Sequence, residues 1–123
     1  MVWALPGKAG LAARPGLADR APPTTTAAGH EMTQEALFDR DSETFVPQPF
    51  ARGYWTPDSV DGRACVALLG HEIERRHSGD GLVPTRLSVD MHRLARMQPC
   101  TVETAVIRDG GRLRLVEARL MIG

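Results

Sequence analysis

The sequence predicts an α+β domain in which one helix is followed by antiparallel strands. Three observations carry that expectation. Residues 59–77, SVDGRACVALLGHEIERRH, open on turn-forming residues, become apolar and end charged, and Val66, Leu69 and Ile73 recur at spacings of three and four. Three stretches rich in alternating or β-branched apolar residues follow His77. Asp109-Gly110-Gly111 between the last two is a hairpin signal.

The chain has 123 residues, 42% of them apolar and 24% charged, which suits one globular domain. Fifteen basic residues balance fifteen acidic ones. That balance gives no electrostatic case for nucleic acid or an anionic membrane. No apolar run reaches the roughly 18–20 residues that span a bilayer.

Taken in order, residues 1–31 are rich in Ala, Pro, Gly and Thr without periodicity, and are expected to be a disordered extension. Pro6, Gly7 and Lys8 interrupt any signal-peptide core, and Met32 is expected to be the true start. The folded domain is therefore placed at 32–123. TFVPQPFARGYW (44–55) is apolar and aromatic, but Pro47 and Pro49 limit it to an edge strand or an irregular segment. Asp58 or Ser59 is expected to cap the helix. Ala64, Ala67 and Leu68 widen its apolar stripe, Glu72, Glu74, Arg75 and Arg76 charge its far end, and Gly79 and Gly81 stop it.

The first strand is expected in TRLSVDMHRL (85–94), where Leu87, Val89 and Met91 alternate with Ser88, Asp90 and His92. CTVETAVIR (100–108) and RLRLVEARLMI (112–122) form the hairpin. In the latter, Leu113 and Leu115 share one parity and Val116, Ala118, Leu120 and Ile122 the other, which predicts a bulge at Leu115–Val116. An apolar strand at Leu120–Ile122 calls for a cover or partner, so the chain is expected either to be truncated or to pair with another. Cys65 and Cys100 lie in apolar segments without metal-ligand spacing and are expected as reduced, buried thiols. His71, Glu72, Glu74 and His77 do not form an HExxH pattern, and no metal or other cofactor is expected.

The segments RGYWTPDSVDGRACVALLGHEIER and PTRLSVDMHRLARMQPCTVETAVIRDGGRLRLVEARL together resemble the N-terminal hotdog half of type II acyl-CoA thioesterase-like proteins of the actinobacterial kind. The resemblance is carried by Gly53-Tyr54-Trp55, Pro57-Asp58, Asp61-Gly62-Arg63, Ala67-Leu68-Leu69, Ser88-Val89-Asp90-Met91, Met97-Gln98-Pro99 and Arg108-Asp109-Gly110. It implies a hotdog fold, a central helix wrapped by a curved antiparallel sheet, here without its final strand and second hotdog. It further implies a thioester hydrolase acting on acyl-CoA through activated water, paired as a homodimer or with a second hotdog domain; the reduced state expected of Cys65 and Cys100 points to a cytoplasmic protein. The alternative is a non-catalytic acyl-binding or structural half. Asp61 stands where the family often has histidine, and the family's catalytic aspartate, threonine and glutamine belong to the second half.

The start of the helix is then the candidate site, because its free N–H groups and partial positive charge suit an oxyanion. Asp61 is the candidate general base, or simply a cap or turn residue. Gly62 would permit close approach of a thioester, Arg63 would meet a CoA phosphate, and Ala64 would keep the neighbouring surface low. Each has a plain structural alternative: tight packing for the two small residues, an ordinary exposed arginine for Arg63. His71, seven residues beyond Ala64, is expected on the same face as a structural histidine.

Overall fold

The computed structural model describes residues 1–4 and 35–123. It is α+β: one helix lies against a six-stranded sheet whose neighbouring strands, in the order β2-β3-β5-β6-β1-β4, are all antiparallel. The strands are β1 (Val2–Ala4), β2 (Phe38–Asp41), β3 (Thr44–Pro47), β4 (Val83–Arg86), β5 (Cys100–Gly110) and β6 (Leu113–Ile122). Among the described residues, no helix is long and apolar enough to cross a membrane.

The helix, α1, runs from Gly62 to His77. Ala64, Cys65, Leu68, Leu69, Glu72 and Ile73 are buried, the spacing expected of one helix face. Val66 is only half-buried and Ala67 exposed, so the apolar face is narrower than the sequence suggested. Asp61 caps the helix, in place of Asp58 or Ser59. The reason is non-local. The Val60 N–H donates to the Ala95 carbonyl and the Asp61 N–H to the Ala51 carbonyl, which holds the chain extended up to Asp61. Ser59, fully buried, donates instead to the Thr56 carbonyl at 2.7 Å.

The β5–β6 hairpin is the backbone of the sheet, in register from Cys100↔Ile122 to Gly110↔Leu113. Its two-residue turn is Gly111-Arg112, one step later than the sequence signal. The irregularity comes where expected along the ladder but on the other strand. Val106 pairs with Val116 and Arg108 with Leu115, so the extra residue is Ile107 and β6 runs straight through. Val116, Ala118, Leu120 and Ile122 all keep one face, and Leu113 and Leu115 lie on the opposite face.

Three expectations are corrected. β3 is an interior strand, between β2 and β5, although its pairing with β5 is confined to Thr44↔Thr101 and Phe45↔Cys100 before Pro47 ends it. The strand foreseen over 85–94 is β4, Val83–Arg86, and residues 87–95 are irregular despite their alternation. Among the described residues no strand pairs with them to supply ladder hydrogen bonds, and alternation alone does not substitute for one. The disorder expected for 1–31 does not extend to Val2–Ala4, which forms β1 between β6 and β4; residues 5–34 lie outside the described residues.

The core has three parts. Phe45, Leu68, Leu69, Cys100 and Val102 join the middle of the helix to β3 and β5. Ile73, Leu82 and Val116 close its C-terminal end. Ala51, Val60, Ala64 and Cys65 close its N-terminal end. Both cysteines are free and buried, as expected.

Candidate functional site

The first turn of α1 is covered by its own neighbours. The Asp61 Oδ1 accepts from the Arg63 N–H at 2.8 Å, the capping bond that removes one free donor. The Arg63 guanidinium then folds back onto the same carboxylate, Nε to Oδ1 at 3.1 Å and Nη2 to Oδ2 at 2.8 Å. These hydrogen bonds hold the Asp61 carboxyl down at about 2. A carboxylate so stabilised is a weak proton acceptor. The same pair raises the Arg63 guanidinium above its ordinary value, with a smaller contribution from the Tyr54 phenol.

Gly62 does meet a close neighbour. A Cβ built there would stand 3.1 Å from Met91 Cε and 3.2 Å from its Sδ. The small residue makes room for a methionine of residues 87–95. Ala64 is buried in the N-terminal core with Ala51, Val60 and Cys65 rather than facing open space. The structure therefore brings Asp61 and Arg63 together, sets Gly62 against Met91 and places Ala64 inside. His71 is exposed, at the margin of the buried face. Ser88, Asp90 and His92 are exposed on the irregular segment.

Beside this closed start runs a long cleft of about 1340 Å³. One wall is β6 from Leu115 to Ile122 and the other is residues 86–96. Gly62, Cys65, Leu69 and Ile73 of the helix form its floor. Burial, reinforced by the charge of Asp61, pushes the Cys65 thiol up, which keeps it protonated and unreactive on that floor.

Two residues matter here that sequence reasoning did not place. Met91 was read as a strand residue, and nothing in its local pattern ties it to Gly62. Glu72 was read only as part of the charge at the far end of the helix, and it is fully buried. Its carboxylate accepts from Arg75 Nε and Nη2, both at 2.9 Å, and from Arg76 Nε at 3.0 Å, with Arg40 Nη1 3.6 Å away. The two Arg75 bonds, then the single Arg76 bond, hold the Glu72 carboxyl below its usual range against the opposing effect of burial. The signal was present: Glu72 lies four residues after Leu68 and three after Leu69, with arginines three and four residues further on. At the far end of the helix, His77 Nε2 lies 2.9 Å from Thr104 Oγ1. Burial, then the positive charges of Arg114 and Arg76, lower the His77 imidazole from its usual value.

Phe50, Tyr54 and Trp55, on the approach to the helix, are 63%, 92% and 86% exposed. No family model, curated protein or solved structure matches the chain.

Proposed function

We propose that this chain is a non-catalytic hotdog half, a helix-backed sheet that pairs with a second copy or another hotdog unit in a thioesterase-like assembly. The observation that carries this reading is the closed pair of Asp61 and Arg63 at the helix start. It ties up the carboxylate that would activate water. The capping bond uses the Arg63 N–H that would otherwise face an oxyanion. The exposed aromatics beside this closed start supply the surface for pairing.

The competing outcome is acyl-CoA hydrolysis by the chain alone, which requires Arg63 to leave Asp61. The test combines thiol release from a series of acyl-CoAs with sedimentation over a range of protein concentrations. The reading predicts no release above the buffer rate, and self-association that Trp55→Ser weakens. Saturable turnover that Asp61→Asn abolishes would replace it with the hydrolase reading.

A further inference from the structure

We propose that Arg114 guards two sites of backbone isomerisation, Asp80-Gly81 and Asp109-Gly110, by holding both aspartate carboxylates away from the glycine nitrogens that would attack them. This is independent of the pairing proposed above. The sequence has three Asp-Gly pairs, at 61–62, 80–81 and 109–110, and no asparagine. In each pair an arginine binds the aspartate: Arg63 binds Asp61, and the one side chain of Arg114 binds both Asp80 and Asp109.

Asp-Gly is open to this reaction because glycine puts no side chain beside its nitrogen. That nitrogen attacks the carboxyl carbon of the aspartate side chain. A C–N bond forms, the carboxyl hydroxyl leaves with the amide hydrogen as water, and a five-membered succinimide results. Water then reopens the ring at either carbonyl. Opening at the main-chain carbonyl leaves isoaspartate, with the backbone routed through Cβ and the mass unchanged. No oxidant or reductant takes part. A carboxylate held by a guanidinium must give up those hydrogen bonds before its carbon can turn to the following nitrogen.

The geometry at Arg114 suits a guard. Its Nε donates to Asp109 Oδ1 at 3.0 Å, and its Nη2 to Asp109 Oδ2 at 3.2 Å and to Asp80 Oδ2 at 2.8 Å. Its Nη1 donates to the His77 carbonyl at 3.1 Å, which anchors the guanidinium to the end of α1. The Arg114 side chain is only 15% exposed, so the two aspartates are held by a fixed group. Asp109 also faces Arg114 across the hairpin ladder. Asp80 and Gly81 lie in a loop with φ of 55° and 68°, and a Cβ built at Gly81 would meet nothing within 4 Å. No side-chain packing restrains that backbone, which leaves Arg114 as the restraint. Asp80, Asp109, Gly110 and Arg114 line a cleft of about 320 Å³, ample for the water that opens the ring. Asp61 lies at the opposite end of α1 with its own arginine and its own capping bond, and serves as an internal reference.

The test warms the full chain at neutral pH for several weeks, as wild type, Arg114→Gln and Arg114→Lys. Isoaspartate is counted at each of the three positions by peptide mapping with electron-transfer fragmentation. Arg114→Gln is expected to speed isomerisation at Asp80 and Asp109 by about threefold relative to Asp61 in the same molecule, the change that loss of an ion pair of ordinary strength sustains. Arg114→Lys keeps the charge, but its single ammonium does not reproduce the fork that holds two carboxylates, and it is expected to raise at least one of the two sites relative to Asp61. A measurement without any variant compares native and urea-unfolded wild type, where both sites are expected to react more slowly in the native chain. Native rates at Asp80 and Asp109 equal to the unfolded ones overturn the proposal. So does a folded Arg114→Gln or Arg114→Lys chain in which all three positions keep their wild-type rates or rise together.

Discussion

The guanidinium of Arg63 grips the carboxylate of Asp61 with two hydrogen bonds, of 3.1 and 2.8 Å, while the Arg63 N–H makes a third, of 2.8 Å, to the same group. One side chain is thus both helix cap and ion-pair partner. Arg63→Ala leaves the backbone cap in place but removes the guanidinium. The Asp61 carboxyl is then expected to titrate nearer the ordinary aspartate value, a rise that side-chain NMR reads directly. Asp61→Ala removes both and is expected to lower the melting temperature more than Arg63→Ala does.

Glu72 makes a different case, because it is buried while its three arginines reach water. Glu72→Ala is expected to destabilise the fold by about 2–3 kcal/mol in denaturant unfolding, toward the lower side of the range for a broken buried pair because the arginines can rehydrate. Arg75→Ala leaves Arg76 and Arg40 in place and is expected to cost about 1 kcal/mol or less.

Two glycines are expected to respond unequally to alanine. At Gly62 the new methyl group meets only the flexible end of Met91, itself 57% exposed, so stability should change by less than about 1 kcal/mol. At Gly53 it would stand 2.9 Å from Ser59 Oγ and 3.2 Å from the Val60 backbone, neither of which can move freely. Gly53→Ala should cost about 1–3 kcal/mol, measured by chemical denaturation.

Cys65 and Cys100 are both buried, and burial raises both thiols, that of Cys100 to about 11. Iodoacetamide at pH 8 is expected to leave the native chain unmodified over a period in which the urea-unfolded chain reacts at both cysteines, as counted by mass spectrometry.

Much of this fold was legible because it rests on local pattern. The spacing of Leu69 and Ile73 marked the helix, and the alternation of residues 116–122 marked β6. What was missed depends on distant partners. The bonds from Val60 to Ala95 and from Asp61 to Ala51 shift the cap, and no window of sequence shows them. Residues 87–95 alternate as a strand would, yet a strand exists only where another lies beside it. At the candidate site, Asp61 and Arg63 were singled out separately. Their pairing follows from side-chain geometry at a helix cap, which composition does not encode. Glu72 was the readable miss, since its position on the buried face and its arginine spacing were both in the sequence.

The central claim is that the Asp61 carboxylate is occupied, and its own titration tests that most directly. Its folded value lies near 2, below the 3.8 expected for the unfolded chain. The stabilisation from this group is therefore complete above about pH 4 and lost as pH falls from there through about 2. Carboxyl-carbon NMR of the folded protein should give a midpoint near 2 that moves up in Arg63→Ala. A midpoint at or above the ordinary aspartate value, unchanged by Arg63→Ala, would show a free carboxylate and contradict the account.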